Sequence, residues 1–487
     1  MESKEHAGRQ LEKLDSVIES ILRAAQIPGA AVAVVAGDEM IFAKGYGYRD
    51  VTTKAPVTAN TLYPIASTTK ALNATLLGIL VDEGALVWDT PVQCYVPGFR
   101  LRDPALGTQV SLRDLITMRT GLPRHDFIWN RSALSRAELV SRLRYLELSA
   151  GFREKFQYNN LTVTAAGHVA EVVTGQSWET LLRQKILEPL DMTGTGFSAA
   201  IREDMTRSYH ENALRELVPY RPIATDVIAP AGGSVHSHVL DMARWMSLNL
   251  SGGKIDGRSL IQPKTLAEIH APQIPSHADP SSPSAAACYA MGWFVDTYRG
   301  TARLGHGGYI HDVNSEVSLH PEEGIGIVSF INLGCVGLAR TINQYVFDVI
   351  KGFKLPTTVE EKLADYEKRT EDTRIRNASA RRVTGTSPSH PLSDYEGVYQ
   401  EPGYGVIQIR KLGDELQFQR GDLTLPLEHW HYDAWVAQPS DLFLIHVPHV
   451  FDKTSRFLFE TSPDGDIAAL LIKFEAAVSP IRFVKQL

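Results

Sequence analysis

Apolar residues recur at helical spacing near the start of the chain. Leu11, Leu14, Val17, Ile18, Ile21 and Leu22 fall on one face of an amphipathic helix. Pro28-Gly29 ends that pattern. The period then changes. Ala30 to Val35 is almost wholly apolar, Gly37-Asp38 is a turn pair, and Met40 to Ala43 is apolar again. That sequence predicts a hairpin whose first strand is buried on both faces. From Ser67 to about Leu250 helical spacing dominates between Gly and Pro breaks. It predicts helices over 67–82, 113–118, 161–173 and 239–250. Strand patterns return over 289–298, 302–304, 313–320 and 325–332, followed by a helix over 338–350. Strands at both ends with helices between them predict one antiparallel sheet built from both chain ends. Terminal helices flank it, a helical region is inserted, and a cleft lies between the lobes. The fold class is α/β in the broad sense, an α+β arrangement.

The pattern shifts after Pro356. Residues 360–382 are densely charged, and Gly385 to Pro391 reads as connection. From Tyr395 onward short strand patterns alternate with turns, over 406–409, 415–419, 442–447, 456–460 and 468–474. They predict a small all-β barrel or sandwich. The expected organisation is a main domain over 1–355, a charged linker or helix over 356–392, and an all-β domain over 393–487.

Composition and charge change this picture little. A net charge of -7 over 487 residues gives no basic patch for nucleic acid. The three cysteines, Cys94, Cys288 and Cys335, form no C-x-x-C pair, which argues against a disulfide framework or a Cys-rich zinc site. No secretory signal core and no membrane-spanning apolar run is read, so a cytoplasmic protein is expected. No cofactor and no metal are expected. The expected partner is a small-molecule or peptide substrate, with neither nucleic acid nor membrane, and the reading leaves room for a homo-oligomer.

Three short motifs carry chemistry. In Ser67-Thr-Thr-Lys70, Ser67 begins a predicted helix and Lys70 lies three residues on, so the two share a face. A serine hydroxyl needs such a neighbour to act as a nucleophile. Tyr158-Asn159-Asn160 precedes a helix. A phenol near cations loses its proton more easily and can act as a base, and the Asn160 amide can bind an acyl oxygen or fix Lys70. His306-Gly307-Gly308-Tyr309 follows a predicted strand at the cleft edge, where two glycines let a substrate approach the backbone. Each motif alone has an ordinary structural reading, as an N-cap, a turn and a structural histidine. His429, His431 and Asp433 could group around a metal, but they read as exposed strand residues. Trp129, Tyr289, Trp293 and Tyr309 fall in segments expected to line the cleft.

In order and spacing the set resembles the serine β-lactamase and penicillin-binding-protein superfamily. More narrowly it is similar to class C β-lactamase-like (peptidase S12-type) esterases and peptidases. The resemblance runs from about Leu14 to Ile350. It includes Ile27 to Val34, Glu83 to Val92, Leu112 to Pro123, Ala231 to Ser237 and Tyr289 to Phe294. Asp394 to Tyr399 and Leu427 to Asp433 resemble a lipocalin-like C-terminal domain. The resemblance implies a β-lactamase/transpeptidase-like fold and a serine hydrolase working through an acyl-enzyme. Ser67 would attack, with Lys70 and Tyr158 moving its proton. The oxyanion would sit between the N–H groups of Ser67 and Tyr309, at ~3 kcal/mol per donor. Asn160 would orient the acyl group, with Gly307, Gly308 and Tyr309 beside the substrate. His306 would keep Tyr158 poised and touch the leaving group. His306 stands where β-lactamases carry the lysine of Lys-Thr-Gly, and a lysine's fixed charge can hold a substrate carboxylate. Small esters, amides or peptides, including those with D-residues, are therefore expected ahead of β-lactams. An acyltransferase of the same fold is the alternative. A non-catalytic binding protein ranks last, because all four reactive groups are present.

Overall fold

The computed structural model describes residues 2–197, 203–211, 216–220, 224–276, 287–334, 337–354, 382–437 and 455–486, with single residues 361, 364 and 368. The chain opens with helix α1 (Glu2–Ala24), then strands β1 (Gly29–Ala36) and β2 (Glu39–Asp50). Helices α2 (Thr69–Asp82), α3 (Asn160–Thr174) and α4 (Val239–Leu250) belong to the inserted region. Strands β3 (Phe294–Tyr298), β4 (Thr301–Ile310), β5 (Val313–His320) and β6 (Ile325–Ile331) follow, then helix α5 (Leu338–Lys351). These strands form one nine-stranded sheet. Its order is Ile274–Pro275, Cys288–Tyr289, β3, β4, β5, β6, β1, β2, Ala55–Pro56. The chain's two ends meet where β1 pairs with β6, antiparallel.

Strand β1 shows why the sheet is central. Ala30, Val32 and Val34 pack with Leu14, Ile18 and Ile21 of α1 and with Ile342, Val346 and Phe347 of α5. Ala31, Ala33 and Val35 join the larger core on the other face, with Trp245 and Leu248 of α4. Alternate residues thus feed two cores, as a strand buried on both sides must. Helix α2 is buried along nearly its whole length, which matches a sequence apolar on every face.

Eight further strands close into an antiparallel barrel: β7 (Gly397–Glu401), β8 (Gly405–Leu412), β9 (Glu415–Arg420), β10 (Leu423–His431), β11 (Ala434–Ala437), β12 (Arg456–Thr461), β13 (Ile467–Ile472) and β14 (Ile481–Lys485). Alternate residues such as Ile407, Ile409, Leu416, Phe418, Leu425 and Leu427 fill its interior. This lining is the lipocalin-like arrangement expected.

Several elements depart from the sequence reading. The helix expected from Ser67 begins at Thr69, after a 3-10 turn over Ala66–Thr68. Ala66 there has φ +46. The strand expected over 302–304 runs from Thr301 to Ile310, so the His306-Gly-Gly motif lies inside a strand and not after it. Nor is β4 an outer strand. Only its second half lacks a neighbour on one side, because β3 pairs no further than Gly305. Strand β10 takes in the strand expected at His429 and His431 and begins earlier, at Leu423. Its Leu423, Leu425 and Leu427 alternate inward, but Pro426 argues against a strand. Pro426 stands just outside the described pairing of β10 with β11, which runs from Leu427 to His431. The strand expected over 442–447 and the linker over 356–381 lie outside the described residues, apart from 361, 364 and 368. Among the described residues no helix is long and apolar enough to cross a membrane.

Candidate active site

Ser67 sits in the Ala66–Thr68 turn that leads into α2. It is the only partly exposed residue between Ile65 and Leu80. One turn on, Lys70 is fully buried and spends its three hydrogen-bonding directions completely. It reaches Ser67 Oγ at 3.0 Å, Asn160 Oδ1 at 2.8 Å and the Ala231 carbonyl at 2.6 Å. Burial, and then the nearby Arg124 charge, hold the lysine well below its ordinary pKa, against the opposing pull of Asp126. A neutral amine has two hydrogens and one lone pair. The Asn160 and Ala231 oxygens only accept, so they take the two hydrogens. The lone pair is left facing the Ser67 hydroxyl.

Helix α3 supplies Asn160. The preceding Asn159 is its N-cap, with Oδ1 accepting the Thr162 N–H at 2.9 Å. That cap fixes the first turn and points Asn160 at Lys70. Asn160 is held from behind by Asp126, whose Oδ1 accepts from Asn160 Nδ2 at 3.1 Å and from Trp129 Nε1 at 2.8 Å. The other carboxylate oxygen accepts from Arg124 Nε at 2.6 Å. No motif in the sequence pointed to Asp126 or Arg124. They lie in an irregular loop, where spacing carries no signal.

Tyr158 lies between Lys70 and Arg124. Lys70 Nζ stands 4.7 Å and the Arg124 guanidinium 5.0 Å from its ring centre. The sequence suggested that these charges ease its ionisation. Instead burial dominates and pushes the phenol up to about 12, against the help of the Ser67 hydrogen bond and Arg124. At neutral pH it is a protonated phenol beside the Ser67 oxygen.

A histidine in water titrates near neutrality. Burial first, and then the Lys70 charge, push His306 down to about 3, so the ring is neutral. Its Nδ1 donates to the Gly307 carbonyl at 2.7 Å, and Nε2 accepts from the Tyr289 hydroxyl at 3.2 Å. Of the four aromatics expected in the cleft, Trp129 and Tyr309 line it. Tyr289 lies beneath His306, and Trp293 is buried, stacked on Trp245 at 5.2 Å.

Two glycines let the pieces approach. A Cβ at Gly308 would meet Ala66 Cβ at 2.9 Å and overlap the Ile65 carbonyl, so β4 lies directly against the serine turn. Ser315 Oγ donates to that same Ile65 carbonyl at 2.7 Å. Gly232 has φ +126, and a Cβ there would overlap the Ala66 carbonyl and come within 2.8 Å of Ser67 N. Gly232→Ala is therefore expected to destabilise the protein by about 1–3 kcal/mol and to slow any chemistry at Ser67. Thermal unfolding, together with the rate of labelling by a serine-directed probe, checks both effects.

The site opens into a cavity of about 830 Å³. Ser67, Tyr158, Asn160 and His306 to Tyr309 lie on its wall, with Trp129, Tyr220, Phe294 and Ile310 as apolar lining. The wall also includes Asp422, Leu423, Thr424 and Leu425 from the barrel, which the sequence reading did not place at the site. Tyr309 donates its hydroxyl to Asp312 Oδ1 at 2.7 Å. His429 and His431 lie elsewhere. His429 Nε2 is bonded to the Tyr432 carbonyl, and His431 Nδ1 accepts the Val383 N–H. Asp433 accepts from Ser389 and Tyr395. Among the described residues no group of three His, Cys, Asp or Glu side chains could hold a metal ion.

Residues 14–347 match the family model described as Beta-lactamase, and residues 381–485 match a domain of unknown function, DUF3471. The chain is 28% identical over 510 residues to "Unguisins hydrolase ungD'" of Aspergillus campestris, covering 97% of this chain and 91% of that protein. It is 27% identical to "Protein flp" of Staphylococcus aureus, covering 73% and 69%. Among solved structures, the octameric penicillin-binding protein homologue from Pyrococcus abyssi superposes with a TM-score of 0.62 at 23% identity, covering 97% and 99% of the two chains.

Proposed function

Since the chain belongs to the Beta-lactamase family, we propose that it is a serine hydrolase acting through an acyl-enzyme on small, uncharged esters, amides or peptides. The observation that carries the reading is the bonding of Lys70. Its Nζ lies 3.0 Å from Ser67 Oγ and spends its other two contacts on the Asn160 and Ala231 oxygens, so that in the neutral amine the lone pair faces Ser67. Neutral Lys70 takes the Ser67 proton as the oxygen attacks the carbonyl carbon. Protonated Tyr158 stands on the other side of the same oxygen, ready to pass a proton to the leaving group. Lys70 then reprotonates the phenol. The oxyanion is received by the main-chain N–H groups of Ser67 and Tyr309, which Gly308 lets approach each other. Water, activated by the same groups in reverse, releases the acyl chain. The relative named unguisins hydrolase agrees with hydrolysis as the outcome.

The cavity supports an uncharged acyl group. Its size suits a small organic ligand. Arg124 is paired with Asp126, and Arg131 with Asp422 at 2.7 Å. His306 is neutral where a lysine would carry charge. A substrate carboxylate would have to compete with carboxylates already in place. Intact-mass analysis after a fluorophosphonate probe tests the reading. One adduct, mapped to the peptide that contains Ser67, is expected. A folded protein that takes up no adduct would overturn it.

A further inference from the structure

The loop that carries Arg124, Asp126 and Trp129 has two sides. Its inner side serves Asn160, Lys70 and Tyr158. Its outer side is held by the C-terminal barrel. The His125 N–H is accepted by Glu475 Oε2 at 3.0 Å, and its Nδ1 is bonded to the Tyr404 hydroxyl at 2.6 Å. The Phe127 ring stacks on Phe474 with centres 3.8 Å apart. Arg420 donates to the Phe127 carbonyl, and to the Ile128 carbonyl at 3.1 Å, with its guanidinium 4.1 Å over the Phe127 ring.

We propose that the barrel is a working part of the active site: Arg420 and Glu475 are positioning residues that hold the 125–128 turn, and through Asp126 and Asn160 keep Lys70 aligned on Ser67. The inference rests on the reading of Ser67 as nucleophile. Three observations carry it. First, His125 has φ +47, a left-handed conformation that is costly for a non-glycine residue, and it is held there by Glu475 and Tyr404 of the barrel together with the Glu147 carbonyl. Second, Arg420 is buried, and its N–H groups go to main-chain carbonyls of this one turn. Burial pulls the guanidinium down to about 10. A buried cation bonded to two carbonyls of one turn fixes that turn's position. Third, the path to the nucleophile is short and wholly hydrogen-bonded. Asp126 holds Asn160 at 3.1 Å, Asn160 holds Lys70 at 2.8 Å, and Lys70 meets Ser67 at 3.0 Å.

The test is the pH–rate profile of fluorophosphonate labelling in the full chain, for wild type, Arg420→Ala, Arg420→Lys, Glu475→Gln and a control, Arg482→Ala. The control breaks only an exposed pair with Glu460 and should label like wild type. Arg420→Ala and Glu475→Gln should label about 10- to 100-fold more slowly, with native circular dichroism. Their acid limb should also move to higher pH. Lys70 faces Arg124 and Asp126 from the loop, Tyr158 beside α3 and His306 on β4. Loosening the loop admits water and withdraws the Arg124 charge, both of which let the lysine rise towards its ordinary value. A purely structural role would leave that midpoint in place. Arg420→Lys keeps a donor for one carbonyl and should recover part of the rate. Wild-type rates and an unmoved midpoint in Arg420→Ala and Glu475→Gln would overturn the inference. Should Arg420→Ala fail to fold, Glu475→Gln, which keeps the side chain's shape, decides alone. An unlabelled wild type would instead sink the hydrolase reading itself.

Discussion

Ser67→Ala is expected to lower turnover of an ester substrate by about 10⁴- to 10⁶-fold and to abolish the fluorophosphonate adduct. Neighbouring hydroxyls offer no substitute. Thr68 is buried and donates its hydroxyl to the Ile65 carbonyl at 2.6 Å. Thr69 is fully buried on α2. The Ser67 oxygen alone lies between the Lys70 amine, the Tyr158 phenol and the cavity. The fold should survive the change. The side chain is partly exposed, and Lys70 keeps its bonds to Asn160 and Ala231, so a loss of roughly 1 kcal/mol is expected. Chemical denaturation measures that cost, and steady-state hydrolysis measures the turnover. A variant that retains a tenth of the wild-type rate would remove Ser67 from the mechanism.

Much of the site was legible because its first layer is local. Ser67 and Lys70 are one helical turn apart, and Tyr158 and Asn160 come just before a predicted helix. The main sheet was legible for a similar reason. β1 and β6 are nearly continuous apolar runs buried on both faces. What stayed hidden is set by distance along the chain. Asp126 earns its role by meeting Asn160, 34 residues on, from a loop with no periodicity. Arg420 reaches Phe127 across 293 residues. It reads as one more polar residue at a strand end. The protonation states were also out of reach. Tyr158 was expected to lose its proton more easily, but that expectation took charges into account without burial, and burial wins there and at His306.

Those shifts make one system. Burial drives each ionisable group at Ser67 towards its neutral form. Lys70 and His306 are pushed down while Tyr158 and Tyr289 are pushed up. In its neutral form the site is a chain of hydrogen bonds that joins Tyr158, Ser67, Lys70, Asn160 and the Ala231 carbonyl. A proton can move along it without first stripping water from an ion. Asp126 and Arg124 carry the nearby charge, paired with each other at 2.6 Å, and Arg124 adds to burial in depressing Lys70. A neutral relay suits a neutral substrate, in line with the absence of a fixed cation at position 306.

Lys70→Met shows what that relay costs the fold. The variant should lose about 10³- to 10⁴-fold in kcat/KM, because no other base faces Ser67. In wild type the acid limb of the pH–rate profile should follow the depressed pKa of Lys70, and the residual activity of the variant should lack that limb. Its stability should change in the opposite sense. A lysine whose folded pKa lies below its unfolded value of 10.5 binds fewer protons when folded. Between the two values, wild-type stability must rise with pH, so the lysine is a burden at neutral pH that fades as the unfolded chain also loses its proton. Methionine fills similar space without that burden, although the Asn160 and Ala231 oxygens lose a donor, a cost of about 1–3 kcal/mol each. The difference in melting temperature, variant minus wild type, should therefore fall as pH rises from the depressed folded pKa of Lys70 towards 10.5. A difference that stays flat across that range would show that Lys70 is charged in the folded protein, and the reading of Lys70 as the resting base would fall with it.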